Sequence, residues 1–155
     1  MSFVITIGRQ YGSGGRFIGK KLAELLGVNF YDNELITTAA TQSGLSKAVL
    51  DNYDEKKDGF FTGVVSSSFG ADMSLSQKVF LAQFEAIKAI ADRESCVIVG
   101  RCADYVLREN PNVVNIFITA PIEARVERAV KYYNLDTKKA KETILKMDKK
   151  RASYY

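Results

Sequence analysis

The chain has 155 residues, of which 46% are hydrophobic and 26% charged, so its composition permits a packed core and argues against disorder. It contains no histidine, which excludes Ser-His-Asp hydrolysis, Cys-His proteolysis and histidine-ligated zinc chemistry. The formal net charge is +4, and basic residues concentrate between positions 131 and 151. A basic segment of this kind favours a polyanionic partner, either nucleotide phosphates or nucleic acid.

The chain is expected to be a cytoplasmic protein without a membrane partner. Its apolar runs are far shorter than the roughly 18 residues that span a bilayer. Its amino terminus lacks the basic region and small-residue cleavage site of a signal peptide. Cys96 and Cys102 lie among apolar residues without metal-ligand spacing, so we expect two reduced thiols in the core.

Short apolar strands alternate with helical patterns along the chain. The first half predicts strands 3–7 and 28–31, helices 16–26 and 33–42, a polar helix 46–57 and a glycine- and serine-rich mobile loop 59–74. The second half predicts an amphipathic helix 75–92, strands 96–99 and 113–118, a helix after Pro121 and a basic helix 137–151. This alternation indicates an α/β fold, a three-layer α/β/α sandwich with a parallel sheet.

The segment 7–16, IGRQYGSGGR, joins the first predicted strand to the first predicted helix. Glycines let backbone N–H groups turn toward an anion, and the helix contributes the positive end of its dipole. Ligands of parallel sheets bind at the carboxyl ends of the strands, where this loop, Asp32, Gly100-Arg101 and Thr119-Ala120 lie. The segment therefore predicts a phosphate-binding loop, with an ordinary tight turn as the alternative.

The loop leaves the kind of phosphate ligand open. A regular P-loop reads G-x-x-x-x-G-K-[ST], with the lysine on the β- and γ-phosphates and the hydroxyl on Mg²⁺. Here Gly15-Arg16-Phe17 stands in that place, and Arg16 could supply the charge. The spacing Gly8-x-x-x-Gly12-x-Gly14, with Asp32 after the second strand, also matches the dinucleotide turn of an NAD(P)-dependent reductase of Rossmann type. Against a reductase, no Tyr-x-x-x-Lys follows a later strand.

Four segments occur in order: ITIGRQYGSGGRFIGKKLAELLGVNFYDNELI, VIVGRCADYVL, NIFITAPIEARVERAVKYYNL and DKKRASYY. Together they resemble the cytidylate kinase-like family, a divergent branch of the P-loop nucleoside monophosphate kinases. The resemblance implies a P-loop NTPase-like fold with a helical lid. It also implies a phosphotransferase that uses ATP and Mg²⁺ and transfers the γ-phosphate to CMP or dCMP.

The resemblance also implies roles for individual residues. The phosphate-binding loop would comprise Gly12, Ser13, Gly14, Gly15 and Arg16. Asp32 would lie at the sugar side of the acceptor nucleotide, and Arg101 would grip the acceptor phosphate. As an alternative that needs no ligand, Asp32 could only cap the following helix.

Further arginines are assigned by the same resemblance. Arg125 and Arg128 open the helix that leads to the lid and would bind ATP, although with Glu123 and Glu127 they could instead form a solvated helix face. Lys150 and Arg151 would lie in the lid. Arg16, Arg101 and Arg151 are the expected catalytic residues, and no residue is assigned as a metal ligand.

The expected organisation is a single kinase-like domain over residues 1–155. It would include an acceptor-binding insertion at about 33–75 and a lid at about 131–155, and would lack a C-terminal strand and helix typical of the family. Because the usual lysine and Ser/Thr are absent, a nucleotide-binding or sensing domain without catalysis remains the alternative. Small nucleotides are the expected partners and nucleic acid is not. Base preference and oligomeric state stay open.

Overall fold

The computed structural model describes residues 2–42 and 75–153. Its elements in chain order are β1 (Val4–Arg9), α1 (Gly15–Leu26), β2 (Asn29–Tyr31), α2 (Asn33–Gln42), α3 (Leu75–Arg93), β3 (Cys96–Val99), α4 (Ala103–Val106), β4 (Val113–Ile118), α5 (Ile122–Tyr133) and α6 (Ala140–Ala152). The helix predicted at 46–57 and the loop predicted at 59–74 lie outside these residues. None of the described helices is both long and apolar enough to cross a membrane.

The four strands form one parallel sheet in the order β2-β3-β1-β4. Strand β1 lies at the centre, with Val4 opposite both Cys96 of β3 and Val113 of β4. In the dinucleotide-binding order 3-2-1-4 the first two strands are neighbours. Here β3 separates them, so the Rossmann-type fold that the reductase alternative requires is not the fold of this chain.

Each face of the sheet carries its own core. On one face, Ile7 of β1 and Val97 and Val99 of β3 pack with Ala23 of α1. On the other face, Cys96 and Ile98 pack with residues of α2, α3 and α4. The side chains of a strand alternate between the two faces of the sheet. Because both faces are covered by helices, every residue of β3 is buried, which explains its uninterrupted apolar sequence. The three-layer α/β/α sandwich is confirmed.

The basic C-terminal helix begins three residues later than predicted, at Ala140 instead of Thr137. The Asp136 carboxylate accepts hydrogen bonds from the backbone N–H groups of Lys138, at 2.8 Å, and Lys139, at 3.3 Å. An aspartate that satisfies the N–H groups just after it stabilises a turn in competition with a helix. The chain therefore turns before α6 begins.

Helix α4 was not predicted, because its four residues are too few to show a periodic pattern. Tertiary contacts hold it: Ala103 and Val106 belong to the same core as Ile98. Cys96 and Cys102 are buried thiols that are not in a disulfide, as the sequence predicted. Burial raises the pKa of Cys96 to about 12, so this thiol is protonated and unreactive at neutral pH.

Truncation of a core side chain on the interior strand β3 should destabilise the protein strongly. Ile98 is fully buried, so Ile98→Ala should lower the free energy of unfolding by about 2–5 kcal/mol through lost burial and a residual cavity. Val114 on β4 is 57% exposed, and Val114→Ala should change the same quantity by less than about 0.5 kcal/mol. Urea denaturation of both variants is the measurement. Equal effects would contradict this description of the core.

Candidate functional site

The loop between β1 and α1 has the geometry of an anion site. Gly12 and Gly14 have φ angles of 78° and 86°, in the region where a Cβ is strained. The first hydrogen bond of α1 runs from the Ile18 N–H to the Gly14 carbonyl, at 3.0 Å. The N–H groups of the first turn therefore have no acceptor within the helix and can donate to an anion held by the loop.

Ser13 stabilises the shape of this loop. Its hydroxyl is buried and donates to the Gln10 carbonyl at 2.8 Å, and its N–H donates to the same carbonyl at 3.3 Å. Both bonds close the turn just before Gly14. The structure thus gives Ser13 a local role within the predicted phosphate-binding segment.

Arg16 is directed away from the loop and toward Asp32. Its Nε and Nη2 donate to Oδ2 of Asp32 at 2.9 and 2.8 Å, while Oδ1 accepts the Leu35 N–H at 3.1 Å. Asp32 therefore caps α2, as the alternative reading proposed, and also binds Arg16. Burial raises the pKa of Asp32, but the hydrogen bonds from Leu35 and Arg16 outweigh it and hold the pKa below its usual value.

Arg125 is buried beneath the loop, so the solvated-face alternative is wrong for this residue. Its Nη1 donates to Oδ2 of Asp148 at 2.5 Å and to the Tyr11 carbonyl at 3.3 Å. Oδ1 of Asp148 accepts the Tyr11 N–H at 2.7 Å. The N–H and the carbonyl of Tyr11 are thus both bound by the ion pair of Arg125 and Asp148, which joins α5 to α6. A Cβ on Gly12 would also lie only 2.8 Å from the Arg125 carbonyl.

Two further predicted arginines contact the loop. The Arg128 guanidinium lies against Gly14, where an added Cβ would come within 3.3 Å of its Cζ. Arg151 donates to the Arg9 carbonyl at 3.2 Å, and its guanidinium lies 5.1 Å from the centre of the Tyr11 ring. Burial lowers the pKa of Arg151, but a guanidinium stays charged at neutral pH. The predicted lid helix is therefore attached to the loop.

The turn after β3 has an unusual backbone. Gly100, Arg101 and Cys102 have successive φ angles of 84°, 59° and 51°. Left-handed non-glycine residues cost energy and occur where the surrounding structure or a functional constraint enforces them. Nε of Arg101 donates to the Asn33 carboxamide at the start of α2. Arg101 is thus positioned at the carboxyl edge of the sheet, where the sequence placed it.

A cavity of about 530 Å³ lies between this turn, the end of β1 and α6. Its basic lining residues come from three parts of the fold: Arg9, Arg101, Lys150 and Arg151. Its acidic lining residue, Asp148, is already bound to Arg125 and Tyr11. A cavity lined in this way suits an anion with several charges.

The sequence predicted part of this cavity. Arg101, Lys150 and Arg151, which the resemblance assigned to the site, line the cavity. The other assigned residues do not line it: Gly12, Ser13, Gly14, Gly15, Arg16, Asp32, Arg125 and Arg128. Arg9 was missed although it lies within the predicted loop segment 7–16, because only Gly12 to Arg16 of that segment were assigned to the phosphates. In the structure β1 extends two residues beyond the predicted strand and ends at Arg9.

The described residues do not fit a magnesium ion held by protein ligands. Within 2–42 and 75–153, no group of three or more cysteine and acidic side chains could hold a metal. The Ser13 hydroxyl and the carboxylates of Asp32 and Asp148 are engaged in the hydrogen bonds described above. Any magnesium at this site would have to arrive with a ligand of its own.

The sheet order, the glycine-rich loop after β1 and the cationic cavity define an α/β protein of the P-loop kinase fold. The chain belongs to the cytidylate kinase-like family, whose model matches residues 4–155. It is 24% identical over 156 residues to the cytidylate kinase of Methanopyrus kandleri, an alignment that covers 100% of this chain and 75% of that protein.

Solved structures agree with the fold. An uncharacterized protein from Eubacterium ventriosum is 31% identical, with a TM-score of 0.72 over 99% of this chain and 75% of that one. Shikimate kinase from Bacteroides thetaiotaomicron has a TM-score of 0.58 at 18% identity, over 99% of this chain and 80% of that one. The second similarity concerns the fold alone.

The bond between Arg16 and Asp32 should make stability depend on pH. Asp32→Asn retains the helix cap but removes the charge, so it should destabilise the protein at pH 7. The pKa of Asp32 is lower in the folded protein than in the unfolded chain, where a carboxyl pKa is about 4. The charged carboxylate therefore contributes its full stabilisation above about pH 4, and this stabilisation is lost as the pH falls through the pKa of the folded state. Urea unfolding at pH 7, 5, 4 and 3 should show the gap between wild type and variant closing below about pH 4. A gap as wide at pH 3 as at pH 7 would contradict this assignment.

Removal of Asp148 should leave the Arg125 guanidinium buried without its partner. Asp148→Ala should lower the free energy of unfolding by about 2–4 kcal/mol, somewhat less than for a fully buried pair because the Asp148 side chain is 24% exposed. Arg125→Met/Asp148→Leu should recover part of that loss. Glu24→Ala, which breaks an exposed pair with Lys21, is the matched control and should cost less than about 0.5 kcal/mol. Similar losses in the two single variants would refute the structural role of Asp148.

Proposed function

We propose that this protein is a kinase that transfers the γ-phosphate of ATP to CMP or dCMP. The observation that carries the proposal is the cavity lined by Arg9, Arg101, Lys150 and Arg151 beside a loop built to bind an anion. Family membership and the similarity to the Methanopyrus kandleri cytidylate kinase support the choice of nucleotides.

The donor phosphates would lie on the glycine-rich loop. The N–H groups at the start of α1 would donate to their oxygens, and Gly12 and Gly14 would allow close approach. Arg128, which lies against Gly14, would add positive charge from the side of α5. Arg125 would act indirectly, since it holds the loop through Tyr11 and Asp148.

The acceptor phosphate would bind Arg101. The strained turn and the Asn33 carboxamide fix this guanidinium at the end of β3, and its planar fork suits two phosphate oxygens. Asp32, which was expected at the acceptor sugar, would position α2 and Arg16. Both of its oxygens are already bound, so contact with a sugar would require Arg16 to move.

The chemistry needs no histidine. A phosphate monoester has its second pKa near 6, so at neutral pH the acceptor phosphate is already an oxyanion and requires no general base. One of its oxygens attacks the γ-phosphorus, the bond from that phosphorus to the bridging oxygen breaks, and ADP leaves with the electron pair. Positioning and neutralisation of charge then account for most of the catalysis.

Helix α6 would act as the lid of this site. It contributes Lys150 and Arg151 to the cavity, and Arg151 also binds the loop carbonyl of Arg9. A lid with two cations would exclude water from the transferred phosphate. Magnesium would be carried by the phosphates of ATP and by water, which is how Mg²⁺ is commonly held.

A nucleotide-binding domain without catalysis is the second candidate. It is favoured by the absence of the P-loop lysine together with the engagement of Arg16 by Asp32. Such a domain would bind ATP with saturation and would form no ADP.

A coupled assay of ADP release separates the two candidates. With ATP and Mg²⁺, we expect turnover with CMP or dCMP to exceed that with UMP or AMP. Arg101→Met should lower kcat/KM for the acceptor roughly 10- to 150-fold, the range for loss of hydrogen bonds to a charged group. Arg108→Met, which removes an exposed arginine outside the cavity, is the control and should leave kcat/KM unchanged. ATP binding without ADP formation for any acceptor would favour the second candidate.

A further inference from the structure

We propose that Arg9 supplies the positive charge that a lysine supplies in a regular P-loop, and that it binds the oxygens of the β- and γ-phosphates of ATP. This inference rests on the proposed function and names a phosphate-binding residue that neither the loop motif nor the family resemblance assigned. The observations that carry it are the path of the Arg9 side chain and the glycines that make room for that path.

The Arg9 side chain crosses the carboxyl ends of two neighbouring strands. Arg9 is the last residue of β1, and its stem lies against Gly15, the first residue of α1. Its guanidinium lies against Gly100 at the end of β3, where an added Cβ would be 2.9 Å from Cζ and 3.1 Å from Nη2. The charge is thus held between the glycine-rich loop and the Arg101 turn, where phosphate would pass from donor to acceptor.

The stem of the Arg9 side chain fills the space that a side chain at position 15 would need. A Cβ at position 15 would lie 2.6 Å from Cβ, 2.9 Å from Cγ and 3.7 Å from Cδ of Arg9. A long side chain at the start of α1 would therefore run along the Arg9 stem. Such contacts with the root of a side chain cannot be relieved by a small rotamer change. Position 15 therefore has no room for a side chain while Arg9 occupies this space.

The other arginines near the loop lie on different sides of the site. Arg16, which stands at the lysine position by sequence, binds Asp32. Arg151 donates to the backbone carbonyl of Arg9 and lies over Tyr11, and Arg101 donates to Asn33 on the acceptor side. Arg9 lines the cavity between them. A guanidinium binds two phosphate oxygens through a rigid planar fork, whereas a lysine ammonium acts as a point charge with rotatable donors.

Isothermal titration of the whole chain with ATP, ADP and AMP, each with Mg²⁺, tests the inference. Arg9→Met keeps the stem and removes the charge, and it should weaken binding of ATP and ADP roughly 10- to 150-fold. AMP, which has no β- or γ-phosphate, should lose less than about threefold by the same reasoning. Arg9→Lys should retain most of the affinity for ATP, and the exposed Arg108→Met should match wild type.

The outcomes separate this inference from the proposed function. Wild-type protein that binds none of the three nucleotides would overturn both. Wild-type binding of ATP with an unchanged Kd in Arg9→Met would overturn the role of Arg9 alone. An equal loss for AMP would also overturn it, because such a loss would reflect damage to the loop. If Arg9→Met does not fold, Arg9→Gln takes its place, with the same expected loss confined to ATP and ADP.

Discussion

The buried pair between Arg125 and Asp148 is the interaction on which the rest of the site depends. It satisfies the N–H and the carbonyl of Tyr11 with groups from α6 and α5, so three separate parts of the chain are fixed against one another. A buried guanidinium without its carboxylate is strongly unfavourable, and the pair therefore defines one arrangement of loop and helices. Arg151 and the Tyr11 ring extend the same contact by one turn of α6.

This arrangement has a consequence for the cavity. Two acidic side chains of this region are paired with arginines, Asp148 with Arg125 and Asp32 with Arg16. Their charge is thereby neutralised locally, and the cations that line the cavity are left to define its potential. Arginine, lysine and backbone N–H groups are also the groups that the proposed phosphoryl transfer would require, and none of them is a histidine.

The glycine-rich segment shows how far a motif can be read from sequence. Its composition predicted an anion-binding loop, and the left-handed φ angles of Gly12 and Gly14 agree with that prediction. Yet the motif pointed to Arg16 as the replacement for the lysine, whereas the structure turns Arg16 to Asp32, sixteen residues later. Spacing along the chain does not reveal where a long, flexible side chain finds its partner. The contact between Arg9 and Gly100 joins two strands that are neighbours only in the sheet.

The sequence by itself determined the secondary structure of the described residues closely and the layered class of the fold. The sequence patterns that predict strands and helices, and the glycines that end helices, depend on residues close together in the chain. The capping of α2 by Asp32 is local in the same sense. Only the tertiary structure decided the strand order, which places β3 between β1 and β2. It also decided the burial of Arg125, for which the charged sequence neighbours had left a solvated face as an alternative. Pairing in a parallel sheet and the partners of buried charges depend on contacts between residues far apart in the chain, which no local pattern encodes.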